Sequence, residues 1–188
     1  MTIHEVYEKY SNQKPVIDIG AGWWPVFDFS YTAFDKAQFI QGKKTCANCF
    51  GDFHDMSDFA DNTFAFLSGK HVIEHAKDPK KALIEWTRIL KIDGIMFLQW
   101  PGDLPKHSNE EIEKFNKWEE ALKVNLEEYY KLGGESGWVS YDKNMKPFLD
   151  VHYSLMTMDE VKAIIPDSLK VVESWKCGDY FLILRKEN

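Results

Sequence analysis

Apolar and polar positions alternate along this chain in two distinct rhythms. Four short runs, Pro15–Ile19, Tyr31–Phe34, Thr45–Phe50 and Thr63–Ser68, have the length and content of buried strands. His4–Ser11 reads as a short helix ahead of them. Asp78-Pro79 supplies a cap and a proline at the first helical position, and Ala82, Leu83, Trp86, Ile89 and Leu90 then mark one helical face that is expected to stop at Asp93-Gly94. The next run, Ile95–Trp100, is apolar on both faces, as suits a central parallel strand covered front and back by helices.

Beyond it, Ser108 with Glu111 forms a capping box, and Ile112, Phe115, Trp118, Leu122, Leu126 and Tyr129 recur at helical spacing until Gly133-Gly134. This predicts one long amphipathic helix. Thr157 with Glu160 caps a short helix ended by Pro166, and Leu169–Trp175 and Asp179–Leu184 form a strand pair across Cys177-Gly178. The expected fold class is therefore α/β: an open twisted sheet of about seven strands, helices on both faces and one antiparallel strand near the C-terminus. The chain reads as a single domain over 1–188, with 102–149 as a helical lid or substrate insertion at the carboxyl edge of the sheet.

Composition narrows the partners. With 188 residues, 15% aromatic content and seven Trp, a packed core is expected. A net charge of −7 repels polyphosphate, so nucleic acid and anionic membrane are disfavoured and a small or neutral acceptor is favoured. The longest apolar runs, such as Gly94–Trp100, fall short of a bilayer span, and no signal peptide is read at Met1–Lys14. Three cysteines fit reduced thiols, so a cytoplasmic location is expected.

The chemistry starts at Val16–Gly22, a strand ending in two glycines one residue apart, which lets backbone approach a ligand closely. Asp35 closes the next strand near the spacing at which a carboxylate accepts from a ribose diol. The third glycine of a dinucleotide fingerprint is missing, and Trp23-Trp24-Pro25 stands where a phosphate-binding helix would begin, which disfavours NAD and FAD. A nucleoside without phosphates fits better, and S-adenosylmethionine is one.

Val16–Gly22, Ala33-Phe34-Asp35, Gly51–Met56, Phe59–Phe64, Lys70–His75 with Asp78-Pro79, and Glu85–Gly94 occur in this order, and together they resemble the class I S-adenosylmethionine-dependent methyltransferases. The resemblance runs from about Lys14 to Pro101 and is nearest to the small type 11-like branch often encoded beside surface-glycan genes. It implies a Rossmann-like fold and S-adenosylmethionine as cofactor. It also implies that Gly20, Ala21 and Gly22 line the methionine and ribose, that Asp35 holds the ribose hydroxyls, that Asp52 and the Phe53 amide meet adenine, and that Lys70 lies beside the reactive end. The departures are Trp23-Trp24-Pro25 after the second glycine, Ala65 after Phe64, Ile92-Asp93 in the turn before Ile95, and a short link from Asp35 to Thr45.

Proton removal from a hydroxyl acceptor calls for an imidazole, and the candidates are His71 and His152, with Asp103 third. His107 lies near the start of the insertion. Trp118, Tyr129, Tyr130, Trp138 and Tyr141 are either a stacking surface for the acceptor or the buried face of a helix. His71-Val72-Ile73-Glu74-His75 also matches a zinc-hydrolase pattern, which requires both histidines on one helical face and a third ligand from elsewhere. Neither is evident, and no metal is assigned. Cys46 and Cys49 form a lone C-x-x-C read as two ordinary thiols. The function expected is a methyltransferase acting on oxygen or nitrogen of a small molecule or glycan. The alternatives are a non-catalytic cofactor-binding or partner subunit and, more remotely, the zinc hydrolase.

Overall fold

The computed structural model describes residues 1–188. The strands of the main sheet are β1 (Val16–Ile19), β2 (Thr32–Asp35), β5 (Cys49–Phe50), β6 (Phe64–Lys70), β7 (Leu90–Trp100), β10 (Leu169–Cys177) and β11 (Asp179–Lys186). A separate small sheet holds β3 (Phe39–Ile40), β4 (Lys43–Lys44), β8 (Val139–Tyr141) and β9 (Pro147–Leu149). The helices are α1 (Ile3–Tyr10), α2 (Pro79–Ile89), α3 (Asn109–Val124), α4 (Leu126–Lys131) and α5 (Met158–Lys162). The main sheet has seven strands in the order β10-β11-β7-β6-β1-β2-β5, and only β11 runs against its neighbours. This is the Rossmann-like architecture that the pattern predicts.

Both faces are covered. On one, Trp86 and Leu83 of α2 and Val161 of α5 pack with Ile17, Leu67, Met96 and Leu182. On the other, Ile3, Val6 and Tyr7 of α1 pack with Val16, Phe66, Phe97 and Ile183. No helix links β1 to β2; Phe27, Phe29 and Tyr31 of that loop lie against α1 and the sheet instead, with Phe27 and Phe29 rings stacked at 4.9 Å. Aromatic area thus does the burial that a helical face does elsewhere.

Three elements differ from expectation. Of Thr45–Phe50 only Cys49–Phe50 is strand, because the earlier residues use their polar groups as ties: Thr45 Oγ1 donates to Ala37 O, and Cys46 N donates to Gly22 O. Asn48 exchanges bonds with Ala33 in the same way. Helix α2 stops at Ile89 rather than at Asp93-Gly94. The carbonyls of Arg88 and Ile89 accept from Asn62 N and Thr63 N on the way into β6, which fills the acceptors a further helical turn would need. Asp93 at φ 62° and Gly94 form a kink inside β7. The long helix breaks at Asn125, whose extended backbone ends α3 and whose side chain accepts from Glu128 N to cap α4.

The short link after Asp35 is the β3–β4 hairpin, which pairs through β3 with β8 of the insertion. The 102–149 segment has its own core of Trp118, Ala121, Leu122, Tyr129, Val139 and Leu149. Hydrogen bonding thereby ties it to the carboxyl edge of the main sheet, where the ends of β1, β2 and β6 open.

Candidate active site

Those strand ends line a cavity of about 1010 Å³. Its floor is the glycine turn. Gly20 and Gly22 take left-handed backbone, φ 72° and 57°, and a Cβ on Gly20 would lie 2.8 Å from Val72 Cβ. Only glycine permits this turn to lie so flat under a ligand. Asp35 at the end of β2 braces it: Oδ2 accepts from Gly22 N at 3.0 Å and Oδ1 from Ala37 N at 2.9 Å. Each oxygen keeps a second lone pair for a ligand hydroxyl. Burial pushes this carboxyl up, against the pull of those two N–H donors. The thiol of Cys46 donates to Ala21 O at 3.3 Å, so the C-x-x-C contributes a tie to the turn, and all three thiols are free.

Asp18, which the sequence motifs do not single out, lines the cavity from within β1 at 2% exposure. Burial raises its carboxyl to about 7, while Ser68 Oγ, donating to Oδ1 at 2.6 Å, holds it back. Its signal was a lone charge inside an apolar strand. Lys70 at the end of β6 also faces the cavity.

At the far corner, Asp52 Oδ1 accepts from both the backbone N and Nδ1 of His54 at 2.8 Å, and the imidazole holds the Asp52 carboxyl down at about 2. Phe53 is fixed through its carbonyl, which accepts from Trp86 Nε1 at 3.0 Å. Asp52, Phe53, Gly20, Ala21, Gly22, Asp35 and Lys70 all line this one cavity, so the structure brings together every residue expected at the cofactor. Trp23 and Trp24 do not plug it. Trp24 is 79% exposed and both stand on the rim.

The opposite end is built from imidazoles and carboxylates. His71, at φ 51° just past β6, has Nδ1 3.3 Å from Glu74 Oε1 and Nε2 3.1 Å from Asp179 Oδ2. The Glu74 contact chiefly raises its affinity for a proton, and with a carboxylate on each nitrogen it is a donor rather than a base. His152 is the reverse, since burial first and His75 second lower it. His75 and His152 meet edge to face at 4.7 Å, and His75 Nδ1 lies 2.9 Å from Asp150 Oδ1, close enough for an ion pair though not aligned as a hydrogen bond. Burial pulls His75 down, but Asp150 outweighs it and the net shift is upward.

Two expectations are corrected here. Asp103 lies outside this cavity, bound to Lys176 and to Tyr180 OH, because β7 ends before the chain turns back towards β11. The His71–His75 segment is not the helix of a zinc hydrolase. It is a strand end followed by a single 3-10 turn, Ile73–His75, so the two histidines do not share a helical face. His107 stays outside the cavity, its ring edge-on to Phe115. Of the aromatic set, Trp118 and Tyr129 are core, whereas Trp138 faces the cavity beside Phe148 and Tyr153.

The methyltransferase-domain family model matches residues 26–98. Over those residues the chain is similar to that family. In fold the chain is similar to PH0226 of Pyrococcus horikoshii OT3, at 15% identity and TM-score 0.57 over 99% of this chain and 88% of that one. A SAM-dependent methyltransferase from Aquifex aeolicus aligns at 12% identity and TM-score 0.54, over 97% and 87% of the two chains. The CurJ carbon methyltransferase aligns at 13% identity and TM-score 0.58, over 99% of this chain and 52% of that one. No curated protein matches the sequence. The residues lining the cavity fit S-adenosylmethionine: a flat glycine turn and a braced carboxylate with spare lone pairs. No helix is long and apolar enough to cross a membrane.

Proposed function

We propose that the chain methylates an oxygen or nitrogen of a small-molecule or glycan acceptor held under the 102–149 insertion. The observation that carries this reading is the size of the cavity. At about 1010 Å³ it is at the upper end of single-ligand pockets (~300–1000 Å³), and its wall joins the glycine turn and Asp35 to a group of imidazoles, His71, His75 and His152. A second small molecule has room beside the cofactor. Trp138 and Phe148 in the same wall offer flat apolar faces of the kind that stack on sugar or aromatic rings.

Bound at the glycine turn, S-adenosylmethionine supplies a methyl group already activated by its sulfonium. The chain's residues then have two tasks. Asp35, Asp52 and the Gly20–Gly22 backbone fix one reactant, and the insertion fixes the other, which turns a two-body encounter into an oriented one. His75 and His152, which line the cavity, receive the acceptor's reacting atom, with Glu74 buried beside them. His71 also lines the cavity, but with a carboxylate at each nitrogen it positions Glu74 rather than taking the acceptor's proton.

Calorimetry with S-adenosylhomocysteine is the first test. Micromolar binding that weakens at least about tenfold in Asp35→Asn is expected; a lost charge-assisted hydrogen bond accounts for that size. No heat at millimolar ligand overturns the reading. Transfer of labelled methyl to a panel of hydroxyl and amino acceptors then tests turnover, and binding without any transfer would favour a non-catalytic subunit.

A further inference from the structure

The imidazole end contains an electrostatic anomaly. Glu74 is wholly buried, 0% exposed, and one of its carboxylate oxygens, Oε2, has no hydrogen-bond partner. Leaving a buried carboxylate oxygen unpaired is costly, because the group has lost its water and gained nothing in return. Folded chains retain such a group when something outside the chain binds it. Glu74, His75 and His152 each offer one ligating atom, and these atoms lie within 4.8 Å of one another.

We propose that Glu74, His75 and His152 bind one divalent transition-metal ion at the acceptor end of the cavity. One carboxylate and two imidazoles form the donor set of many zinc, manganese and iron(II) sites that leave coordination positions open. His75 and His152 line the cavity and Glu74 is buried beside them, so an ion held by the three would face the space assigned to the acceptor through the two imidazoles. Donors around a metal at ~2.1 Å stand closer together than 4.8 Å, and side-chain rotation closes that gap on loading.

The surroundings already have the character of an outer shell. Ser140 Oγ donates to Asp150 Oδ2 at 2.8 Å, and Asp150 Oδ1 stands 2.9 Å from His75 Nδ1. A carboxylate on one imidazole nitrogen is the usual device that leaves the other for a metal. On the far side, His71 holds Glu74 Oε1 and leaves Oε2 for the ion. The sequence pattern supplied two of the ligands without the helix, and the third comes from His152, in the chain that follows β9.

This inference rests on the methyl-transfer reading only for its role. An acceptor hydroxyl on the ion would ionise near neutral pH, its proton leaving to water. The oxygen keeps the electron pair and forms the new O–C bond as the C–S bond breaks, releasing a neutral thioether.

The test uses the full chain stripped with a chelator, titrated calorimetrically with manganese(II) and zinc(II) chloride alone, and with cobalt(II) followed by visible absorption. One ion per chain is expected, with an imidazole-type cobalt spectrum. His152→Ala and His75→Ala should each weaken binding at least tenfold while S-adenosylhomocysteine affinity stays within about twofold. Glu74→Gln should do the same if it folds, and His152→Ala keeps the test open if it does not. No stoichiometric binding, or binding indifferent to His152→Ala, overturns the metal site. If S-adenosylhomocysteine still binds in that case, the methyl-transfer reading stands; if it does not bind while a metal does, the metal site stands and its role in methyl transfer falls.

Discussion

Asp18 shows how one residue carries both a cost and a purpose. Its carboxyl sits at about 7 when folded, against an ordinary 3.8. Below about pH 3 both folded and unfolded chains hold the proton and the group costs nothing. As pH rises to 7 the unfolded chain releases the proton first, so stability falls across that window and stays low above it. At about 1.4 kcal/mol per unit the full penalty is of order 4 kcal/mol. Asp18→Asn should therefore raise the melting temperature at pH 8 much more than at pH 3, as thermal denaturation across pH will show. Gly20→Ala should act in the opposite direction. The left-handed backbone costs about 1–2 kcal/mol and the overlap with Val72 adds to it, so urea denaturation should show a loss of about 2–3 kcal/mol together with loss of cofactor binding. Asp35 was legible in the sequence because the end of a second strand is a fixed place in this fold. Glu74 was legible only as a member of the His71–His75 pattern; that it is buried beside His152, with no helix under it, was decided by packing.

Among the elements, α2 does more than cover the sheet. Arg88 Nη1 donates to Phe59 O and Asp61, and Nη2 donates to Met56 O and Glu85, while Glu85 accepts from Met56 N. With Trp86 holding Phe53 O, the helix fixes the whole 53–61 loop, the corner proposed to meet adenine. Arg88→Lys keeps the charge but loses the planar fork. A destabilisation of about 2 kcal/mol is expected from the lost charge-assisted bonds, with weaker S-adenosylhomocysteine binding in calorimetry. The helix itself was readable from Asp78-Pro79 and its apolar spacing. Its end was not, because the groups that satisfy its last carbonyls come from Asn62 and Thr63, distant in sequence.

For the whole molecule, the second sheet couples the insertion to the cofactor end. Gln38 N donates to Tyr141 O, and β3 pairs with β8, so the roof over the acceptor is continuous with the chain leaving Asp35. Hydrogen exchange should therefore slow on adding S-adenosylhomocysteine at residues 20–24, 35–37 and 51–54, and also at 137–141 and 148–153. Protection confined to the first three segments would show that the insertion does not respond to the cofactor.

By itself the sequence determined the alternation of strands and helices, the glycine turn, and the order of the blocks around the cofactor. These depend on local periodicity, on caps and on φ-permissive residues, which act within a few positions of the chain. Only the tertiary structure decided which histidines meet, that Asp103 stands apart, and that the Asp35–Thr45 link becomes a hairpin paired with the insertion. Such outcomes depend on burial and on contacts between residues some seventy to a hundred apart, such as Gln38 with Tyr141 or Glu74 with His152. A single chain's pattern does not encode these separately from the fold that brings them together.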